Sequence, residues 1–236
     1  MNFKKYNRLL GFLSGFCAFI VYLLTVEPTA SYWDCAEYIS TSAKLQIGHP
    51  PGAPLFQMLG AVFSILAFEN TQIAYAINMM SVTSSALTIV FMFWSVSLLG
   101  KKILKVKSEI SSEESFKIFG AAFLTTFTFM FTDSFWFNAV EAEVYAMATL
   151  ILSVLFWLGL KWESEFENER SDKWLILISF VIGLSFGVHF MGLLAIPSIG
   201  LIYYFKKYSN FKLKSFLIAN VVSVSVLLFI FKLLLP

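Results

Sequence analysis

Charge is scarce in this chain. Only 14% of its 236 residues are Asp, Glu, Lys or Arg, against about 25% in a soluble domain. The charges that exist are clustered, and long apolar runs lie between the clusters. That pattern excludes an ordinary soluble globule and places the chain among polytopic helical membrane proteins. Cysteine is almost missing as well: Cys17 lies in the first apolar run and Cys35 in the loop after it. Two cysteines so far apart give no disulfide framework and no metal-ligand spacing. Neither a Gly-rich phosphate loop nor HExxH or CxxC occurs, so the common nucleotide, metalloprotease and redox motifs are excluded. The lysines sit in short loops rather than on one basic face, and nucleic acid is not an expected partner.

What is there is apolar length. An all-α fold is expected, a polytopic transmembrane bundle of about seven spanning helices with surface helices in the first outer loop. The basic start, with Lys4, Lys5 and Arg8, precedes an apolar run over 9–25. This also fits a signal peptide, but no A-x-A site follows, which favours an uncleaved first helix. The segment 54–68 is apolar but short for a span of about 20 residues. The positive-inside rule decides its placement. If it lies at the surface, then 73–99 crosses inward and 15 of the 17 Lys and Arg share one side, leaving only Lys44 and Lys232 opposite. The later spans are then 119–131, 144–160, 174–186, 187–205 and 216–235, with the N-terminus inside. The last span ends with the sequence at Pro236, so residues 1–236 read as an N-terminal transmembrane catalytic-type domain, part of a longer protein.

This topology gathers Asp34, Glu37, His49, Asp133, Glu141 and Glu143 on the outer face, with His189 at an outer turn and Trp33, Tyr38, Trp136 and Tyr145 beside them. Acidic groups bordering hydrocarbon are costly unless paired. Asp34 and Glu37 share one face of a helix starting near residue 34, and paired acids can split their pKa values into acid and base roles. Ser31 with Asp34 equally matches a capping box, so a purely structural Asp34 is the other reading. His49-Pro50-Pro51-Gly52 is a rigid stop after that helix. On a regular helix Glu141 and Glu143 face different ways, while Asn138, Glu141 and Tyr145 can share one face. Stabilisation of a helix N-terminus by negative charge and plain solvation are the other readings of the two glutamates, and a helix–helix hydrogen bond is the other reading of His189. Spacing alone leaves an outer-face acidic site compatible with an enzyme or a transporter.

Three motifs carry a resemblance: Trp33-Asp34-Cys35-Ala36-Glu37-Tyr38 with His49-Pro50-Pro51-Gly52-Ala53-Pro54, then Phe135 to Tyr145, then Gly183 to His189. Together they resemble a mostly bacterial membrane family of unassigned function that includes eukaryotic O-mannosyltransferases acting on plexin-type receptor domains. The wider similarity is to the C-type fold of polyprenyl-phosphate-sugar-dependent glycosyltransferases. That resemblance implies a membrane enzyme using a lipid-linked sugar donor, with mannose the expected sugar, and a protein Ser or Thr hydroxyl as acceptor. It implies Asp34 as general base, with Glu37 and His49 shaping the catalytic site. Trp33, Lys44, Trp136, Glu141, Glu143, Tyr145 and His189 would bind donor or acceptor. No residue is assigned as a metal ligand, no cofactor is assigned, and divalent-metal use stays open. The expected setting is a bacterial inner membrane, with membrane lipid around the chain and the site facing the periplasm. The alternatives are a transporter or flippase of a lipid-linked or polar solute, and a non-catalytic envelope scaffold.

Overall fold

The computed structural model describes residues 2–50, 52–106, 110–208 and 210–234. Pro51, Lys107 and Pro236, on which parts of the sequence reading rest, lie outside the described residues. The described residues form helices and no strand: α1 (Phe3–Leu23), α2 (Cys35–Lys44), α3 (Pro54–Ser64), α4 (Ile73–Ile103), α5 (Ser112–Met130), α6 (Asp133–Ala139), α7 (Val144–Ser164), α8 (Asp172–Ser185), α9 (Ala195–Lys207) and α10 (Leu213–Leu234).

Helix α4, 31 residues long, is the axis of the bundle. It packs against α1, α5 and α7. The face of α1 that is buried carries small residues, Gly11, Ser14, Gly15 and Ala18, which let two helices approach closely where lipid offers no hydrophobic drive to association. Helix α5 opens on a complete capping box: Ser111 Oγ accepts from Glu114 N–H at 3.1 Å, and Glu114 Oε2 accepts from Ser111 N–H at 2.8 Å.

Four helices are long and apolar enough to cross a bilayer: α1, α4, α7 and α10. A fifth crossing exists if α5 and α6, bent by 70° at the residues between them, are counted as one. By that measure the described residues give four or five spans, and the expected seven are not confirmed. The difference lies in α8 and α9, of 14 and 13 residues. Both are shorter than a regular crossing helix, because the chain leaves the helix at Ser185 and passes through a break and a 3-10 turn, Phe190–Leu194, before α9. Helix α3, at 11 residues, is likewise too short to span, in keeping with the surface placement expected for 54–68.

The basic groups meet at one end of the bundle. Lys101 stands over the Phe3 ring at 5.6 Å, Lys102 pairs with Glu163 at 2.5 Å, and Lys206 stands over Phe166 at 5.5 Å. The acids of the first loop and of the α6–α7 link lie at the other end, where the sequence pattern put them.

Candidate functional site

The first loop is tied down before it reaches the site. Asn78, fully buried on α4, donates through Nδ2 to the carbonyls of Glu27 (2.7 Å) and Thr29 (2.9 Å). Glu27 N–H donates to the Val140 carbonyl at 3.0 Å, joining this loop to the α6–α7 link. Sequence reasoning passed over Asn78, although a lone amide early in an apolar run is costly without partners and is therefore a signal.

Helix α2 then brings Glu37 to His49. The His49 backbone N–H donates to Glu37 Oε1 at 2.6 Å, and the ring Nδ1 donates to Oε2 at 3.0 Å. The ring's Nε2 lies 3.9 Å from Asp34 Oδ2. Gly48 leaves room for this closure: a Cβ there would stand 2.8 Å from Gln57 Nε2 and 3.1 Å from Glu37 Oε1, so both side-chain ends would have to shift. Gly52, at φ +75°, donates its N–H to the His49 carbonyl at 2.8 Å and turns the chain into α3. Gln57, also unforeseen, donates to Thr41 Oγ1 at 3.1 Å and holds α3 against α2.

The capping-box reading of Ser31 and Asp34 is not what forms. Asp34 itself occupies the position before α2, and its side chain makes no capping bond. Its carboxylate is left 56% exposed beside His49. The preceding Trp33 sits at φ +57° with 86% of its surface open. A left-handed aromatic residue is a strained position that tends to mark functional sites.

Glu141 and Glu143 do not belong to a helix that also carries Asn138 and Tyr145. Helix α6 ends at Ala139 and α7 begins at Val144, so the shared-face expectation fails because the helix is interrupted. Both glutamates are buried in the link, at 1% and 4% exposure, and each keeps one carboxylate oxygen without a hydrogen-bond partner. Burial pushes the Glu143 carboxyl up to about 7, with the charges of Asp34 and Glu141 adding to it. Burial raises Glu141 too. The opposite holds in front of them: the backbone and ring hydrogen bonds from His49 lower Glu37, and the bond to Glu37 raises His49. Tyr38, packed 5.1 Å from Phe56 and 6.1 Å from His49, is pushed up to about 12 by burial and by the charge of Glu143.

The third motif meets the first through its backbone. Pro54 opens α3 without an N–H, and the next two donors, Leu55 and Phe56, both bond the Gly187 carbonyl, at 2.7 and 3.1 Å. A Cβ on residue 187 would lie 2.6 Å from Leu55 Cβ. Among the described residues His189 makes no helix–helix hydrogen bond. Its Nδ1 accepts the Met191 N–H at 3.2 Å, and its ring lies 5.4 Å from Tyr145. The structure thus brings Asp34, Glu37, His49 and Glu143 together and sets Tyr145 and His189 alongside. Two residues stand apart. Lys44 is at the far end of α2, about 15 Å along the helix from Asp34. Trp136 packs on Tyr22 and Phe131 and donates to Thr25 Oγ1 at 3.0 Å.

Asp34, Glu37 and His49 each offer a ligand atom, all within 4.8 Å of one another. The donor set suits a divalent ion, with Nε2 and Asp34 Oδ2 facing each other while Glu37 fixes the opposite side of the ring.

The family model of the Protein O-mannosyl-transferase TMEM260 N-terminal domain matches residues 34–212. The chain belongs to that family. Among curated relatives, the Protein O-mannosyl-transferase tmem260 of Dictyostelium discoideum is 28% identical over 191 residues, 75% of this chain and 21% of the relative. The Protein O-mannosyl-transferase TMEM260 of Mus musculus is 25% identical over 165 residues, 70% of this chain and 21% of the relative. The chain therefore spans about a fifth of the length of these two relatives. No solved structure matches it. Apart from Trp33, every residue of the three motifs lies inside the range of the family model.

Proposed function

We propose that this chain is the part of a membrane glycosyltransferase that carries the acceptor site. The sugar, mannose by the names of its relatives, moves from a polyprenyl-phosphate donor to a Ser or Thr hydroxyl of a protein. The observation that supports this best is the Asp34 carboxylate: exposed, unused by its helix, and bordered by a histidine that Glu37 holds at two points.

Asp34 takes the proton of the acceptor hydroxyl as that oxygen bonds the anomeric carbon of the sugar. The bond from that carbon to the phosphate oxygen breaks, and the polyprenyl phosphate leaves with the electron pair. A base acts only within about 2.6–3.2 Å of the proton it takes, so Glu37 and His49 serve by fixing the wall against which the hydroxyl sits. Glu143 holds a proton up to about pH 7, which limits like-charge repulsion behind Asp34. Tyr145, His189 and the exposed Trp33 flank the entrance for substrate. Under the positive-inside rule the acidic end faces outward, which is the periplasm in a bacterial inner membrane. A transporter would place ionisable groups at mid-helix, whereas the acids here stand in loops and at helix ends.

The test incubates membranes holding the full-length protein and its Asp34→Asn variant with labelled polyprenyl-phosphate mannose. Label on protein with wild type, and its loss in the variant, is expected. Label that crosses the membrane without joining protein would replace this reading with transport.

A further inference from the structure

The far end of the bundle holds a second site. The first turns of α1 and the last turns of α4 and α7 line a cavity of about 430 Å³, with Lys4, Arg8, Lys101 and Lys161 in its wall and no acidic residue among the lining residues. Lys161 shares its charge with Glu165 at 2.6 Å. Lys4, Arg8 and Lys101 form no ion pair among the described residues. Four cations therefore converge on one concavity with one carboxylate nearby.

Membrane anchoring alone does not ask for this arrangement. Anchoring lysines need only reach the headgroups, and they repel one another less when splayed. Two further polar atoms point to a ligand. Ser97 lines the cavity at 1% exposure, and its hydroxyl has no partner among the described residues. Asn7, also in the lining, keeps a buried Oδ1 without a donor. Buried polar groups are ordinarily satisfied. An anion would pair with the cations and accept from Ser97, and a hydroxyl on the same molecule would donate to Asn7. The remaining wall is aromatic: Trp94 and Trp157 lie 5.8 Å apart. From Glu143 to Lys161, α7 rises about 27 Å, close to the ~30 Å of a hydrocarbon core. The cavity therefore sits at headgroup depth on the side opposite the acidic site.

We infer that this cavity binds a phosphate-bearing anion that also carries hydroxyls, the chemistry of a glycerol phospholipid headgroup. The inference is independent of the proposed transferase activity. Phosphate here would be met by charge-assisted hydrogen bonds from Lys and Arg, with the acyl chains leaving past the two tryptophans.

The experiment places the full-length protein in phosphatidylcholine nanodiscs, with or without phosphatidylglycerol, and reads Tm and bound lipid by native mass spectrometry. Phosphatidylglycerol should raise Tm and be retained. The double variant Arg8→Gln, Lys101→Gln should bind it roughly tenfold more weakly or worse. Lys206→Gln with Lys207→Gln, which removes the same charge at the same end outside the cavity, should behave as wild type. Inorganic phosphate and glycerol 3-phosphate, added to phosphatidylcholine discs, form the second arm. A matching rise in wild-type Tm assigns the site to a soluble phosphate, and no rise assigns it to lipid. Equal retention in all variants, or no response to any phosphate, overturns the inference. If the double variant does not fold, Ser97→Ala carries the test, with weakened retention expected and unchanged retention counting against the site.

Discussion

His49 holds Glu37 at both carboxylate oxygens, one through its backbone N–H at 2.6 Å and the other through its ring at 3.0 Å. A side chain gripped at two points by one residue cannot rotate freely. Asp34 makes no such commitment, although its carboxylate stands only 3.9 Å from the same ring. The site thus has a fixed acid and a free one, three residues apart on the chain.

Asp34→Asn should leave Tm nearly unchanged, since the side chain caps nothing and Asn is an equal cap in any case. Sugar transfer should fall by roughly 10²–10⁴-fold, the usual worth of a positioned base. Transfer rate set against Tm in the full-length protein decides it. Near-normal transfer removes Asp34 from the mechanism.

Glu143→Gln should alter the pH dependence of stability in a fixed direction. The folded protein raises Glu143 from its ordinary 4.5 to about 7, so its protonated form is favoured by folding. That contribution is complete below pH 4.5 and is lost as pH rises through about 7. His49, also raised, adds a loss as pH climbs above its ordinary 6.5, whereas Glu37, lowered, withdraws its share only as pH falls below 4.5. Wild type and Glu143→Gln should melt alike near pH 5, with wild type the less stable at pH 8. The reverse order at pH 8 would show an ionised Glu143 that stabilises the fold.

Gly187→Ala should damage both stability and transfer. The new methyl would press on Leu55, whose side-chain and backbone atoms stand 2.6 and 3.2 Å from it. Overpacking of this kind costs about 1–3 kcal/mol, and the displaced α3 start would shift His49. Gly183→Ala, where a Cβ meets nothing within 4 Å, is the control and should melt as wild type does.

Asn78→Ala should loosen the first loop. Two part-buried hydrogen bonds are lost, for an expected loss of about 1–3 kcal/mol. Proteolysis at residues 27–33 should speed up before global unfolding does. An unchanged cleavage rate would mean that the loop is held elsewhere.

Orientation is tested by cysteine labelling. Ser112→Cys, at the basic end, should react only after the membrane is permeabilised, and Ser134→Cys, at the acidic end, should react in intact cells. Outside labelling at residue 112 would invert the proposed arrangement.

Much of this was readable from residue type alone, because the bilayer sorts residues harshly. The lysine pattern gave the two ends, and the length of 54–68 gave a helix that does not span. The union of Asp34, Glu37 and His49 followed from a short amphipathic helix halted by Gly48 and Pro50. What could not be read depends on backbone geometry over long separations. The link at 140–143 falls in the break expected between the spans 119–131 and 144–160, but its inward turn of Glu141 and Glu143 has no glycine or proline to announce it. The use of the Gly187 carbonyl by α3 appears in no spacing rule, and Ser31-x-x-Asp34 matched a cap that the helix does not adopt.

The bond from α3 to Gly187 also sets an order of events during synthesis. Leu55 and Phe56 leave the ribosome more than 130 residues before their acceptor does, on the order of ten seconds at ordinary rates of elongation. For that interval the first turn of α3 has two unsatisfied donors at the membrane surface, and the loop carrying His49 lacks its anchor. The acidic site therefore cannot mature as the first helices insert. It waits for α8 to arrive, so a nascent chain stalled before residue 187 would hold every acid of the site and still lack its shape.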